Sequence, residues 1–183
     1  MKKEIIIAGF GGQGVLALGQ MLIYGGMSEG KEVSWFPSYG PEMRGGTANC
    51  SVVVSDCEVS SPVVTRPDVL IACNKPSLEK FIGQVKKGGI VIYNSSLIPN
   101  VEKVRDVIYY GIPANKIAED AGNVKAANVV LGDVLVAVTE IISDKAFSIG
   151  IDKILPYKLI ELNTKARVGA RKFLQKTEQP LAG

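Results

Sequence analysis

Ile5-Ile6-Ile7-Ala8-Gly9-Phe10-Gly11-Gly12-Gln13-Gly14-Val15-Leu16 is the stretch that decides the fold of this chain. It passes from a β-branched apolar run through four glycines into an amphipathic pattern, which predicts a strand, a tight turn and a helix. Gly9, Gly11 and Gly14 match G-x-G-x-x-G in the context that this motif requires. Glycines let the backbone approach a ligand closely, and a helix N-terminus offers unpaired N–H groups to an anion. We therefore expect a phosphate or another anion at this turn; the alternative is a tight turn without a ligand.

The second predicted strand, Glu32 to Phe36, argues against a nicotinamide or flavin dinucleotide. In dinucleotide-binding units a carboxylate about 20 residues further on holds the ribose hydroxyls from the end of the second strand. Here that end reads Phe36-Pro37-Ser38 and carries no acid. Glu29 and Glu32 come before or at the start of the strand, which is the wrong side for this role. The turn suits a phosphate, but the usual ribose contact is missing.

Composition limits the classes of function. A chain of 183 residues suits one domain, residues 1–183, and its net charge of +3 is too small to argue for nucleic acid. The longest apolar run, from Val129 to Ile142, is too short and too polar to span a bilayer. The first residues show no pattern of a cleaved signal peptide. We expect a cytoplasmic protein that does not bind a membrane.

Two absences limit the chemistry further. The chain has no histidine, which is the commonest general base and metal ligand. Its cysteines, Cys50, Cys57 and Cys73, form no C-x-x-C, so neither a catalytic residue nor a metal site is expected in this chain. Cys50 and Cys73 fall in apolar strand patterns and are interpreted as buried structural thiols. The role of Cys57 stays open.

Strand and helix patterns alternate along most of the chain. Helices are predicted at 15–27 and 76–85; strands are predicted at 48–54, 67–73, 90–93 and 107–112, with a short returning strand at 58–60 that makes a hairpin with 48–54. This order predicts a doubly wound, three-layer, Rossmann-like α/β domain whose mostly parallel sheet is mixed. Ligands of such folds gather beyond the carboxyl ends of the strands. We expect the glycine turn, the loop at 37–47, Asn74 and the stretch 94–96 at that edge.

From Asn123 to Ile142 apolar side chains cover nearly every face of a predicted helix. A helix that is apolar all round is buried on all sides. It is either an oligomer interface or a central core helix, and Asp133 within it either makes a polar contact at that interface or faces water. Helices at 152–162 and 163–176 and a frayed tail at 177–183 are predicted to follow. A solvated face is the expected meaning of the basic residues in the second of these helices, Lys165, Arg167, Arg171, Lys172 and Lys176.

The loop from Pro37 to Thr47 carries side chains that suit a ligand. Arg44, which precedes Gly45 and Gly46, can place its guanidinium on a phosphate or a carboxylate, and Tyr39 can stack on a planar group. Loops of this length are often functional. The alternative is a rigid loop whose glycines only satisfy backbone geometry.

The pairing of G-F-G-G-Q-G-V at 9–15 with Y-G-P-E-M-R-G-G-T-A at 39–48 resembles the gamma subunit, or gamma domain, of the 2-oxoacid:ferredoxin oxidoreductases of the pyruvate, 2-oxoglutarate and 2-oxoisovalerate type. Further matches follow in order: P-D-V-L-I-A at 67–72, G-G-I-V-I-Y-N-S at 88–95, N-V-V-L-G at 128–132, and Asn163 with Ala166 and Ala170, where the glycine stands at 169 instead of 170. The resemblance covers the whole chain, and the glycine turn is specific only together with the second motif.

The resemblance implies a non-redox subunit of an enzyme that converts a 2-oxoacid and coenzyme A to acyl-CoA and carbon dioxide and reduces ferredoxin. Thiamine diphosphate, magnesium and iron–sulfur clusters would lie in alpha-, beta- and delta-type partner subunits, and this chain would bind no cofactor alone. The gamma-type unit completes the complex and is implicated in the coenzyme A side of the site.

The residues expected to line that side of the site are Gly9, Gly11, Gly12, Gln13, Gly14, Tyr39, Arg44, Gly45, Gly46 and Thr47. Two other functions stay open, a free-standing protein that binds a nucleotide or flavin and an assembly module without ligand contacts. A homodimer is an open alternative for the isolated chain. The choice among 2-oxoacids is expected to lie in the partner subunits.

Overall fold

The computed structural model describes residues 1–38, 47–177 and 181–182. Seven strands form one sheet: β1 Lys2–Phe10, β2 Glu32–Ser38, β3 Thr47–Ser55, β4 Val69–Ala72, β5 Ile90–Asn94, β6 Ile108–Ile112 and β7 Leu181–Ala182. The helices are α1 Val15–Ser28, α2 Lys75–Phe81, α3 Ala114–Ala121, α4 Ala127–Thr139, α5 Asp144–Ile154 and α6 Ile160–Lys176. Short 3₁₀ turns lie at Ile82–Gln84, Val124–Ala126 and Tyr157–Leu159.

The sheet has the strand order β2-β3-β1-β4-β5-β6-β7. β1, β4, β5 and β6 run parallel, while β3 is antiparallel to both of its neighbours and β7 is antiparallel to β6. Helices cover both faces. The predicted α/β class with a mostly parallel, mixed sheet is confirmed.

The hairpin partner predicted for β3 is wrong. Residues 58–60 form no strand, and β3 pairs instead with β2 and β1, so that Val52 lies opposite both Trp35 and Ile5. After β3 the chain turns away from the sheet, because the hydroxyl of Ser55 accepts a hydrogen bond from the N–H of Cys57 at 3.0 Å. The sheet is therefore mixed because β3 lies antiparallel between β2 and β1, and not because of a strand at 58–60.

The far end of the sheet also differs from the expectation. The predicted frayed tail contains β7, whose Leu181 and Ala182 pair with Tyr109 and Ile108 of β6. Pairing of these two residues with the outer edge of β6 makes a short strand, although the sequence there has no strand pattern.

The alternation of side chains along the strands divides the core between the two faces of the sheet. Ile5 and Ile7 of β1 point toward α1 and α4, and Ile6 and Ala8 point toward α2 on the opposite face. Gly19 in α1 permits close packing on the sheet, since a Cβ there would lie 2.7 Å from the Trp35 indole nitrogen and 2.8 Å from Cys50 Sγ.

The apolar helix predicted from 123 to 142 is α4, with a 3₁₀ turn before it, and it is a core helix. α4 lies between the sheet and α6, and every residue from Asn128 to Val136 is buried. The alternative interpretation as an oligomer interface is wrong for this helix, because α3 and α6 of the same chain cover the face that was assigned to a partner.

Two further expectations about the C-terminal part are corrected. The helix predicted at 152–162 is instead α5, which ends at Ile154 before Pro156, and the helix predicted at 163–176 begins earlier, at Ile160. α3 has no counterpart in the predictions, since its eight residues contain one large apolar side chain, Ile117. None of the described helices is long and apolar enough to cross a membrane.

The basic face of α6 is only partly solvated. Lys165, Lys172 and Lys176 are exposed, but Arg167 and Arg171 turn inward and bind the carboxylate of Asp133 in α4. Asp133 therefore neither faces water nor meets another chain.

Candidate functional site

The glycine turn joins β1 to α1 at the edge of the sheet where the parallel strands end. The N–H of Gln13 donates to the carbonyl of Phe10 at 3.1 Å, and Gly14 precedes the helix in the left-handed region, with φ 72°. No side chain among the described residues caps α1. The first N–H groups of a helix have no partner within the helix, so those of α1 are available to an acceptor from outside it.

Gln13 stabilises the turn. Its Oε1 accepts from the N–H of Phe10 at 2.7 Å and from Nδ2 of Asn74 at 2.9 Å. Asn74 in turn caps α2, because its Oδ1 accepts from the N–H of Ser77 at 2.9 Å. Gln13 was predicted to line the ligand site; its side-chain oxygen is occupied by contacts that tie the turn to the end of β4.

Gly9 and Gly14 are required by packing. A Cβ on Gly9 would come within 2.9 Å of Gln13, Val15 and Cys73. A Cβ on Gly14 would lie 2.4 Å from Nδ2 of Asn128, which donates to the Gly14 carbonyl at 3.1 Å. These two predicted residues shape the turn and hold it against the sheet and α4.

Gly11 and Gly12 form the open side of the turn. Both are exposed, and Gly12 has φ 91° with no atom within 4 Å of the position where a Cβ would lie. A side chain at Gly12 would be strained and would fill the space in front of the backbone. This is where a ligand can approach the turn.

The loop that was predicted to face the turn leaves the sheet at Ser38 and returns at Thr47. β2 runs in the same direction as β1, because β3 is antiparallel to both. Thr47 is paired with Phe10, and Ser38 with Asn49. Both ends of the loop therefore lie at the edge that carries the glycine turn.

Four of the predicted site residues, Tyr39, Arg44, Gly45 and Gly46, lie outside the described residues. Their assignment as ligand-binding residues stays a prediction. Thr47 is described only as the first residue of β3.

A cavity of about 150 Å³ opens beside the turn, and its walls combine the turn with four other parts of the chain. It is lined by Gly12, Gln13, Cys73, Asn94, Asn115, Val124, Lys125, Ala127, Asn128 and Leu131. Among the described residues that line it there is no acidic side chain, and the charged one is Lys125. The surroundings favour a neutral or anionic ligand.

Asn94 at the end of β5 links three residues near the cavity by hydrogen bonds of its side chain. Its Nδ2 donates to Oδ1 of Asn115 at 2.8 Å, and its Oδ1 accepts from the N–H groups of Ala114 and Ser96 at 3.2 Å. Asn94 was expected at this edge, and the structure places it there.

Asn115, Lys125 and Asn128 were missed by the sequence reasoning. Asn115 comes three residues after the end of β6. Because ligands of such folds gather beyond the carboxyl ends of the strands, this position was a usable signal in the sequence. Asn128 begins the matched motif at 128–132. Lys125 gives no signal in the sequence.

The thiols differ in their surroundings. Cys50 and Cys73 are buried, and burial raises the pKa of each thiol to about 12; the Cys50 charge also raises that of Cys73. Cys57 is exposed. Within the described ranges no three His, Cys, Asp or Glu side chains are placed to hold a metal ion.

A larger groove, of about 520 Å³, lies between α3 and α6. None of the predicted site residues that the structure describes lines it; its walls include Ile117, Val168 and Phe173. The smaller cavity beside the turn joins the predicted motif to polar side chains and is the better candidate for the functional site.

Comparison with known proteins gives one family. Residues 4–172 match the family model described as pyruvate ferredoxin/flavodoxin oxidoreductase. The chain is 48% identical over 134 residues to ketoisovalerate oxidoreductase subunit VorA of Methanothermobacter marburgensis, which covers 73% of this chain and 28% of that protein. It is 34% identical over 181 residues to 2-oxoglutarate synthase subunit KorC of Methanothermobacter thermautotrophicus, which covers 95% of this chain and 96% of that one.

A solved structure agrees with these sequence matches. The crystal structure of the gamma subunit of a keto/oxoacid ferredoxin oxidoreductase from Geobacter sulfurreducens has a TM-score of 0.83 and 28% identity, and the match covers 94% of this chain and 99% of that one. The chain therefore spans nearly the whole length of two of these relatives and only 28% of the VorA subunit.

Proposed function

Because this chain belongs to the pyruvate ferredoxin/flavodoxin oxidoreductase family as a gamma-type chain, we propose that it is the non-redox gamma subunit of a thiamine-diphosphate-dependent 2-oxoacid:ferredoxin oxidoreductase. The complete enzyme converts a 2-oxoacid, coenzyme A and oxidised ferredoxin to acyl-CoA, carbon dioxide and reduced ferredoxin. In this proposal, alpha- and beta-type partners, with or without a delta-type chain, hold thiamine diphosphate, magnesium and iron–sulfur clusters. The complex works in the cytoplasm.

The substrate is proposed only at the level of its class. One relative is named for ketoisovalerate and another for 2-oxoglutarate, so similarity to this chain does not single out one 2-oxoacid. The proposal assigns that choice to the partner subunits.

Within the complex, this chain contributes to the coenzyme A side of the site through its glycine turn. The observation that carries this part is the exposed backbone at Gly11 and Gly12 beside the N-terminus of α1, which no described side chain caps. A phosphate at this position accepts hydrogen bonds from N–H groups that have no partner within the helix, and the helix dipole favours its charge. The absence of acidic side chains among the residues that line the adjoining cavity supports the same assignment.

Arg44 is the proposed side-chain contact to the phosphate. The two ends of its loop, Ser38 and Thr47, lie at the edge that carries the turn. A guanidinium makes paired hydrogen bonds to two phosphate oxygens, and lysine does not reproduce this geometry. Since a charge-assisted hydrogen bond contributes about 1.5–3 kcal/mol, Arg44→Lys raises the Michaelis constant for coenzyme A about tenfold or more in the reconstituted complex.

The same variant separates the proposal from the alternative of an assembly module. If Arg44 only anchors the loop or meets a partner carboxylate, Arg44→Lys weakens subunit retention and leaves the coenzyme A kinetics of the remaining complex unchanged. The Michaelis constant for the 2-oxoacid is the internal control, because this chain is not assigned a contact with the 2-oxoacid.

Assembly is tested by purification under anaerobic conditions. The tagged chain is expected to retain alpha- and beta-type subunits, and ferredoxin reduction is expected only when those partners are present. Decarboxylation by the chain alone would contradict the proposal. A purified chain with a flavin absorbance band, and without partner subunits, would favour a free-standing flavin protein.

A further inference from the structure

The groove between α3 and α6 is a part of the surface to which the proposed function gives no role. The two helices approach closely because Gly169 has no side chain: a Cβ there would lie 2.7 Å from Cγ2 of Ile117. The floor of the groove is apolar and consists of Ile117, Ala121, Val168 and Phe173. Val168 is 48% exposed, so a large apolar side chain lies half open to solvent in a concave surface. Such a floor suits the apolar face of a bound helix.

Lysine side chains border this apolar floor. Lys165, Lys172 and Lys176 are exposed and line the groove. Their spacings of seven and four residues place them on one face of α6, over about 16 Å of its length. Among the described residues that line the groove the acidic one is Asp120, whose carboxylate already lies 2.7 Å from Nζ of Lys116.

Two of the three bordering lysines have no carboxylate beside them. Nζ of Lys165 lies 2.7 Å from Oε1 of Glu161, one turn earlier on α6. Within the described ranges neither Lys172 nor Lys176 makes an ion pair. The groove therefore combines an apolar floor with an excess of positive charge, and its complement is a surface that carries carboxylates next to apolar side chains.

We propose that this groove receives an acidic amphipathic helix of a partner subunit, an inference that rests on the proposed function. The apolar face of that helix contacts Val168 and the rest of the floor. Two of its carboxylates, four residues apart, face Lys172 and Lys176, which have the same spacing along α6. The apolar floor favours a permanently bound subunit over ferredoxin, because permanent interfaces are more hydrophobic than transient electron-transfer contacts.

Association of this chain with the alpha- and beta-type subunits measures the contribution of the lysines. The double variant Lys172→Glu/Lys176→Glu is expected to associate about tenfold more slowly at low ionic strength, because charges at the rim of an interface act mainly on the association rate. The control is Lys87→Glu/Lys153→Glu, which makes the same change in net charge on exposed lysines outside the groove. It is expected to associate like the wild-type chain.

The apolar floor is tested by Val168→Asp. This variant is expected to dissociate from the partner subunits about tenfold faster, because lost contacts at the centre of an interface act mainly on the dissociation rate. Ile149→Asp is the control, since Ile149 is a similarly exposed apolar residue, at 42%, on α5 outside the groove. Thermal unfolding of each isolated variant verifies that the fold is retained.

Carbodiimide cross-linking of the assembled complex identifies the occupant, because this reagent joins an amine to a carboxylate only where the two are in contact. Lys172 and Lys176 are expected to be linked to carboxylates four residues apart in one alpha- or beta-type subunit. Links only to ferredoxin or to a second copy of this chain would overturn the proposal. It is also overturned if both lysines stay unlinked in an assembled complex, or if the two double variants associate at equal rates.

Failure of the proposed function is a distinct result. In that case the wild-type chain retains no alpha- or beta-type subunit, and the assignment of the groove falls with it. A complex that assembles with unlinked lysines and equal association rates leaves the proposed function intact and rejects the helix in the groove.

Discussion

Nε of Arg167 on α6 lies 2.7 Å from Oδ1 of Asp133 on α4, a carboxylate that has no exposure to solvent. Arg171, one turn further along α6, binds the second oxygen of the same carboxylate. The Arg167 guanidinium also lies over the ring of Phe147, 5.4 Å from its centre. These contacts fix α6 across α4 and explain why a helix that is apolar on nearly every side needs no second chain to cover it.

Asp133→Asn is expected to destabilise the fold by about 3–5 kcal/mol, since it removes the charge that two partly buried arginines share. Asp144→Asn is the matched control. Asp144 contacts the same two arginines, but its side chain is 67% exposed, so its loss is expected to cost about 1 kcal/mol or less. Urea unfolding of both variants measures the difference. Equal effects would show that the buried carboxylate has no special role.

Val134→Asp is expected to unfold the chain, because Val134 has no exposed surface and a carboxylate in its place has no partner. Val168→Asp, on the half-exposed surface of α6, is expected to change the free energy of unfolding by about 0.5 kcal/mol or less. Circular dichroism combined with light scattering distinguishes unfolding from dissociation. A folded monomer of Val134→Asp derived from an oligomeric wild-type chain would contradict the assignment of α4 to the core.

Thiol reactivity is expected to distinguish the three cysteines. Cys57 is exposed, whereas burial raises the pKa of the Cys50 and Cys73 thiols to about 12. Only thiolates react quickly with disulfide reagents. At pH 7.5 or thereabouts we expect one fast equivalent from the folded chain, and Cys57→Ser is expected to abolish it. Fast reaction of a second thiol in the native chain would show that the core near the glycine turn opens.

The ion pair between Glu4 and Lys86 is expected to make stability depend on pH in the acid range. Lys86 donates to the Glu4 carboxylate at 2.7 Å, and this hydrogen bond, followed by that from Lys2, lowers the Glu4 pKa below its ordinary value of 4.5. A lowered folded-state pKa means that the stabilisation is present above the unfolded-state pKa and is lost as the pH falls through the folded-state pKa.

Lys86→Met is therefore expected to cost about 1 kcal/mol at neutral pH, and the difference from wild type is expected to shrink as the pH falls below 4.5. Lys75→Met, which removes an exposed pair with Glu79, is the control. Urea unfolding over a series of pH values measures both. A difference that grows in acid would contradict this account of the pair.

The sequence predicted the local parts of the fold well. The step from β1 through the glycines to α1 depends on neighbouring residues, and its φ values and packing agree with the motif. The partner of β3 was not predictable in this way, because the alternation of Cys50, Val52 and Val54 specifies a covered face and does not specify which strand lies alongside. Strand pairing is a contact between distant segments.

The same limit applies to charges and to the site. Arg167 and Asp133 are separated by 34 residues. From the sequence alone, Arg167 was therefore interpreted as part of a solvated basic face, and its contact with Asp133 is seen only when α6 packs on α4. Asn128 and Gly14 are separated by 114 residues, and their hydrogen bond forms only in the folded chain. The motif located the ligand edge, but the amides that complete the cavity required the tertiary structure.

The central claim is that the open backbone of the glycine turn receives coenzyme A in the assembled oxidoreductase, and Gly12→Ala tests it most directly. This change adds a methyl group at φ 91° in open space, while Gly30→Ala adds the same group at φ 70°, also in open space, beyond the far end of α1. Both variants therefore place an alanine at positive φ in open space, at two different positions along the chain. In the reconstituted complex we expect Gly12→Ala to raise the Michaelis constant for coenzyme A about tenfold, with that for the 2-oxoacid unchanged, and Gly30→Ala to alter neither. An identical Michaelis constant for coenzyme A in the two variants would contradict the claim.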